Sequence, residues 1–289
     1  MLQPPIHLDR RAFLQRSVAV GLSGAFARHL LAADKPIINA PALLDVEAGG
    51  YRALPAGQVF CGGVVPLEGF EIVHALFTPW VPLRDAWGII ERYLESIDRP
   101  VKALCGMELR IPAQLSMEGF RAFNQPYLAQ LRKWDLILPL GNYSAVCRTN
   151  VAPALEPPKE PSVHAFSFTA PAQGRSTTFC VSGTADIDVR GKIVAEGDVS
   201  PTGMKQRLQY CIDAIGERLA QLDLDWSAAT HIDLCYAREI GNLMETVVLP
   251  GVKGAAAHGI RVHHARPPIL GAEVELECRA VRREITLGA

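Results

Sequence analysis

The sequence predicts an α+β protein made of two tandem units, each a mixed β-sheet backed by two helices. Its 289 residues, 49% hydrophobic and 20% charged, suit two ordinary soluble domains. Strand-like runs and amphipathic helical stretches follow the same order on both sides of a proline-rich segment. That segment, residues 152–163, contains four prolines and suits neither a helix nor a central strand. We therefore interpret it as the linker between the units.

The N-terminal region differs in kind from the rest of the chain. The stretch "DRRAFLQRS" places paired arginines before a short, moderately apolar run, which resembles a twin-arginine export signal. We expect residues 1–33 to be this signal and the protein to be periplasmic. The alternative is an amphipathic helix at the start of a cytoplasmic protein. The apolar run is too short to span a bilayer, so no stable membrane insertion is expected. Residues 34–56 are interpreted as a connecting arm.

The first unit is predicted to span residues 57–151. Strand-like runs "QVFCGGVVPL" and "EIVHALFTPW" come first, and "LRDAWGIIERYLESI" then has apolar residues at helical spacing. The run "VKALCGMELR" is again strand-like. It is followed by the helical stretch "MEGFRAFNQPYLAQLRKW", for which Ser116 is the expected N-cap.

The second unit, residues 164–289, repeats this order. "HAFSFTAP" and "TTFCVSGTADID" are strand-like, and "TGMKQRLQYCIDAIGERLAQL" predicts a long amphipathic helix. "ATHIDLCYA" is a strand, and a short helix lies within residues 240–254. "IRVHHARPPI" and "AEVELECRAV" are predicted as the last strands. The duplication rests on element order, because the two halves share little sequence.

Charge and motifs exclude several function classes. The 29 basic and 30 acidic residues give a net charge of -1, so neither nucleic acid nor an anionic membrane is an expected partner. The seven cysteines form no CxxC pair, which favours buried thiols over a zinc site or a disulfide framework. The sequence has no Walker loop, dinucleotide fingerprint, HExxH or GxSxG, so we predict chemistry without cofactor or metal.

Four stretches of the second half resemble the RidA/YjgF superfamily, which has a chorismate-mutase-like fold. They are "FCVSGTADID", the helix and strand that follow it, "HHARPPI" and "VELECRAVRR", and they cover Phe166 to Arg283 in the family's order. The segment "VSGTADI" is also similar to a motif of chorismatases, which join two such domains in one chain.

This resemblance implies a homotrimer with small-molecule clefts at domain boundaries and a small carboxylic acid as substrate. It places Arg266 as the carboxylate anchor and Glu275 as the catalytic acid or base. The implied activity is a cofactor-independent deaminase or hydrolase acting on an enamine, an imine or a related unsaturated acid. One alternative is a chorismatase-type hydrolase that releases pyruvate from a cyclic enol ether. Another is a non-catalytic binding protein.

The glutamates of the last predicted strand have two interpretations. Side chains alternate along a strand, so Glu273, Glu275 and Glu277 share one face. That face either delivers a carboxylate into a site or lies in solvent, with Arg266 in a surface ion pair.

Further candidates remain open in the same way. Ser182, Gly183 and Thr184 form either a ligand-binding segment or a β-bulge. Arg148 is either a second carboxylate anchor or part of a structural ion pair. Glu108 and Arg110, which share a strand face, have the same two interpretations.

Overall fold

The computed structural model of the chain describes residues 42–138 and 141–288. The predicted signal segment lies outside the described residues. The strands are β1 (Leu44–Val46), β2 (Tyr51–Leu54), β3 (Gly63–Pro66), β4 (Phe70–Pro82), β5 (Leu104–Arg110), β6 (Ile137–Leu138), β7 (Tyr143–Ser144), β8 (Cys147–Pro153), β9 (Ser162–Pro171), β10 (Phe179–Ala185), β11 (His231–Tyr236), β12 (Arg261–Arg266), β13 (Val274–Ala280) and β14 (Arg283–Gly288). The helices are α1 (Leu83–Ser96), α2 (Met117–Lys133), α3 (Pro201–Gln221) and α4 (Leu249–Val252), which continues a π-helical turn, Met244–Val248.

Twelve of the described strands form one mixed sheet. Its order is β1, β2, β3, β10, β13, β11, β12, β8, β5, β9, β4 and β14. Most neighbours are antiparallel, whereas β5 and β8, β11 and β12, and β4 and β14 are parallel pairs. The prediction of a mixed sheet combined with helices is therefore confirmed.

The two halves of the chain exchange strands within this sheet. Strand β9, predicted to open the second unit, lies between β5 and β4 of the first, and β3 pairs with β10 of the second. The C-terminal strand β14, which the sequence patterns did not predict, pairs with β4. The finer prediction of two tandem RidA-like units, each with its own sheet, is not confirmed by this topology.

Part of the stretch interpreted as a connecting arm belongs to the sheet. Strands β1 and β2 both lie within residues 34–56. Tyr51 anchors them, because its ring is fully buried and its hydroxyl donates to the Leu104 carbonyl at 2.9 Å. Residues 154–161 of the proline-rich segment contain neither helix nor strand and connect β8 to β9.

The helices form where apolar spacing and capping favour them. Helix α1 buries Ala86, Ile90 and Leu94, which recur every four residues on one face. Helix α2 begins at the predicted N-cap, since the Ser116 hydroxyl accepts a hydrogen bond from the Gly119 N–H at 3.0 Å. Ser200 caps α3 in the same way.

The two faces of β13 contact different layers of the protein. Val274, Leu276 and Cys278 join the core beneath α3, as the period of two predicted. The opposite face carries Glu273, Glu275 and Glu277, and Glu277 contacts Thr149 of β8. A polar layer therefore separates β13 from β8, and the functional candidates lie in it.

Candidate active site

A cavity of about 250 Å³ lies where β8, β10 and β13 meet α2 and α3. Its polar lining includes Arg148, Asn150, Gly183, Arg218 and Glu275. Its apolar lining includes Phe60, Met117, Phe120, Pro268 and Ile269. Both halves of the chain contribute, so the cavity lies between them. Pockets for drug-sized ligands are about 300–1,000 Å³, so this one suits a smaller molecule.

Glu275 is a buried carboxyl group in this cavity. Only 4% of its surface is exposed, and its Oε1 accepts a hydrogen bond from the Asn150 backbone N–H at 3.3 Å. Its other oxygen, Oε2, has no hydrogen-bond partner among the described residues. Burial raises the pKa of Glu275 to about 8, although Arg148 and Arg110 act in the opposite direction. Glu275 is therefore a neutral carboxylic acid at pH 7 and can donate a proton.

The three glutamates of this strand face have different partners. Glu273 pairs with Arg238 at 2.9 Å and with Arg266 at 3.3 Å, and Glu277 pairs with Arg279 at 3.0 Å. Within the described part of the chain, no cationic side chain forms an ion pair with Glu275. All three are at most 6% exposed, so the interpretation as a solvated face is excluded.

Arg148 lies in the cavity together with Glu275. Its guanidinium donates to Asn124 Oδ1 at 2.7 Å and stacks over the rings of Tyr127 and Phe120 at 4.8 and 5.4 Å. It forms no ion pair with any described carboxylate, so the structural ion pair weighed for it is not observed. A buried guanidinium held by neutral groups is suited to binding an anion.

Arg218 is a second guanidinium of the cavity, which the sequence patterns did not single out. It comes from α3 and donates to the Ser182 carbonyl at 3.0 Å and to Thr184 Oγ1 at 2.8 Å. Its guanidinium also lies 5.8 Å from the centre of the Phe60 ring. Like Arg148, it has no carboxylate partner in the described residues.

Residues 182–184 form a bulge that also shapes the site. The register between β10 and β13 shifts between Val181 and Thr184. The Ser182 hydroxyl donates to the Cys61 carbonyl at 2.6 Å and accepts from the Arg148 N–H, so it holds two strands together. Gly183 faces Glu275, where a Cβ would overlap Oε1. The bulge thus positions Gly183 in the cavity, while Ser182 and Thr184 support the neighbouring groups.

Asn150 presents an unsatisfied amide to the same cavity. It is 3% exposed, and neither Oδ1 nor Nδ2 has a hydrogen-bond partner among the described residues. Buried amides without partners are rare outside functional sites. Asn150 follows Arg148 by two residues on β8, so both project from the same face.

Arg266 does not line this cavity. Its side chain is directed to Glu273, at the end of β12. The chain turns immediately afterwards, and the Gln114 amide fixes the turn by donating to the carbonyls of Pro267, Ile269 and Ala272. Pro268 and Ile269, rather than Arg266, therefore reach the cavity, and this geometry does not support the predicted role of Arg266 as carboxylate anchor.

Glu108 and Arg110 lie in a neighbouring network that is internally neutralised. Arg279 contacts Asp233 at 2.5 Å and Glu108 at 3.5 Å, and Arg110 contacts Glu108 at 3.6 Å. Burial by itself would raise the pKa of Glu108, but the neighbouring His74 and Arg279 hold it at about 2. The charged groups of this network pair with one another, as in a structural ion-pair network, whereas the guanidinium groups of the cavity have no carboxylate partner among the described residues.

The described residues contain no group of three or more His, Cys, Asp or Glu side chains arranged to bind a metal ion. No helix in that part of the chain combines the length and the apolar character needed to cross a membrane.

The chain belongs to the 2-aminomuconate deaminase CnbZ family, whose model matches residues 43–285. It is 33% identical over 254 residues to the 2-amino-5-chloromuconate deaminase of Comamonas testosteroni. That alignment covers 86% of this chain and all of the relative. The structure is also similar to a chorismatase, with a TM-score of 0.43 and 13% identity over 80% of this chain and 77% of that one.

Proposed function

We propose that this protein is a cofactor-independent hydrolytic deaminase of 2-aminomuconate or a close derivative. The observation that carries the proposal is the buried acid Glu275 in a cavity with two guanidinium groups that lack carboxylate partners among the described residues. The family and the relative support the reaction class, since both are deaminases of aminomuconates by name.

The chemistry of such a substrate requires a proton donor. In 2-aminomuconate the amino group is attached to a carbon–carbon double bond that is conjugated with a second one, and the chain ends in two carboxylates. Protonation of a chain carbon converts the enamine into an iminium ion. Water then adds to the carbon that bears nitrogen, and loss of ammonia leaves a 2-oxo acid. The balance is one water consumed and one ammonia released.

Glu275 is suited to the first and the second step. As a neutral acid it donates its proton to the carbon, and the resulting carboxylate then accepts a proton from the attacking water. Glu275 passes this proton to the amino group, ammonia leaves as the C–N bond breaks, and the hydroxyl proton returns to Glu275 as the carbonyl forms, which restores the neutral acid. Oε2 is available for this transfer because no described residue hydrogen-bonds to it.

Arg148 is suited to binding the carboxylate next to the reacting carbon. Its charge acts on Glu275, so the two groups are close enough for one to anchor the substrate and the other to transfer the proton. The amide of Asn150 has free donor and acceptor capacity, as far as the described residues go, for the substrate amino group or the attacking water.

The test is ammonia release from 2-aminomuconate, followed together with loss of the diene absorbance. The matched pair is Glu275→Gln and Glu273→Gln, because both glutamates lie on one strand face but Glu273 is ion-paired outside the cavity. We expect Glu275→Gln to lose about 100- to 10,000-fold in kcat and Glu273→Gln to stay within a few-fold of the unaltered protein.

The outcome also separates the alternatives. No ammonia from the unaltered protein would reject the deaminase proposal. Pyruvate released from a cyclic enol ether would favour the chorismatase-type reaction, and ligand-dependent stabilisation without any product would favour a binding protein.

A further inference from the structure

Arg218 has features that the proposed proton transfer does not explain. Its guanidinium is part-buried, it lines the cavity, and it donates hydrogen bonds through Nη1 to two neutral oxygens of the 182–184 bulge. Within the described residues no acceptor for its Nε or Nη2 is found, and no carboxylate lies within ion-pairing distance. Removing a charge from water without a counterion is unfavourable, so such a cation indicates an anionic ligand.

The two guanidiniums of the cavity have different positions relative to Glu275. Arg148 projects from β8 and its charge acts on Glu275. Arg218 projects from α3, donates hydrogen bonds to Ser182 and Thr184, which flank Gly183, and lies against Phe60. Apolar side chains, including Phe120 and Ile269, complete the lining. This arrangement matches a flat, apolar carbon chain with a carboxylate at each end.

We propose that Arg218 binds the second carboxylate of the substrate, the one remote from the amino-bearing carbon, and so determines specificity for diacids over monoacids. The inference rests on the proposed function in taking the substrate to be an amino-diene diacid. A monoacid would leave the Arg218 charge desolvated and unpaired, which penalises its binding.

The test uses two ligands with the same carbon skeleton: muconate, with two carboxylates, and sorbate, with one. Neither has an amino group, so binding is measured by calorimetry without turnover. A hydrogen-bonded ion pair contributes enough for about a 10- to 100-fold preference, so we expect the unaltered protein to bind muconate that much more tightly than sorbate. In Arg218→Met the preference should fall to about twofold or less, because muconate loses its ion pair while sorbate binds at least as tightly as to the unaltered protein.

Two control variants exclude a purely structural role. Arg175→Met removes an exposed arginine of the loop between β9 and β10, outside the lining of the Glu275 cavity, and it should keep the full preference. Arg218→Lys retains the positive charge but not the paired N–H donors of the guanidinium, so it should keep a reduced preference for muconate over sorbate. This variant provides the test if Arg218→Met does not fold.

The inference is overturned if Arg218→Met lowers the affinities for muconate and sorbate equally, because a distorted 182–184 bulge would affect the binding of both ligands. It is also overturned if the preference persists in that variant. Failure of the proposed function is a separate result: a protein that prefers muconate through Arg218 but releases no ammonia from 2-aminomuconate retains the diacid site and loses the deaminase assignment.

Discussion

Replacing Glu275 with glutamine should stabilise the protein while it removes activity. The pKa of Glu275 is about 8 in the folded protein, against 4.5 for an ordinary glutamate. Between these values the folded protein keeps a proton that the unfolded chain releases. The folded state then binds more protons, so the free energy of unfolding falls as pH rises, by about 1.4 kcal/mol per pH unit.

The size of this change at pH 7 follows from the difference between pH 7 and the pKa of an ordinary glutamate. By pH 7 the free energy of unfolding has fallen by about 3 kcal/mol. It stops falling above about pH 8, where Glu275 is ionised in both the folded and the unfolded protein. Glutamine carries no such proton, and its amide oxygen can still accept from the Asn150 N–H. We expect Glu275→Gln to match the unaltered protein near pH 4.5 and to exceed its stability by up to about 3 kcal/mol at pH 7.

Urea unfolding at several pH values between 5 and 8 measures this difference directly. The control is Glu273→Gln, which removes a partner of Arg238 and Arg266 and should show no gain. A difference between Glu275→Gln and the unaltered protein that does not change with pH would contradict this prediction, since it would mean that Glu275 titrates alike in the folded and unfolded states.

Three further predictions concern activity and packing. Gly183→Ala should lower kcat by about 100-fold, because the new Cβ overlaps Glu275 Oε1 and lies 2.9 Å from Thr149 Oγ1; melting temperatures would show whether the loss is instead one of folding. Arg207→Met should destabilise the protein by about 3–5 kcal/mol in urea unfolding, since it removes the cationic partner of the buried Asp186 and leaves the Glu273 backbone N–H as its donor. A loss below about 1 kcal/mol would count against the importance of the Arg207–Asp186 ion pair. The kcat/KM for deamination should fall above about pH 8 as Glu275 ionises, and a pH profile that stays level to about pH 9.5 would exclude it as the proton donor.

Local patterns were sufficient for α1, α2 and β13, and for the glutamate face that contributes to the cavity. Period-two alternation correctly divided β13 into a core face and a glutamate face, because a strand projects successive side chains to opposite sides. Helical spacing and the Ser116 cap located α1 and α2. The choice of Glu275 among three similar glutamates came from the family resemblance, since only the fold shows that its neighbours are ion-paired.

The features that the sequence analysis did not predict depend on contacts between residues far apart in the chain. Arg218 lies at the edge of the apolar face of α3, three residues after Ile215, but the strand bulge and Phe60 that define its environment are remote in sequence. Pairing of β14 with β4 and of β3 with β10 is equally non-local, so element order suggested two separate sheets. The ion pair of Arg266 with Glu273 and the Gln114-bound turn, which together direct its side chain away from the cavity, are also contacts between elements that local patterns do not show.

The proposed mechanism depends on a cavity carboxylic acid that stays protonated at neutral pH, and infrared difference spectroscopy detects such a group. Spectra of the unaltered protein and of Glu275→Gln are compared from about pH 6 to about pH 9.5. We predict a protonated-carboxyl band that is absent from the variant and converts to carboxylate with a midpoint near 8. A Glu275 carboxyl that is already ionised at the acid end of this range would rule out both the proton-donor role and the predicted gain in stability.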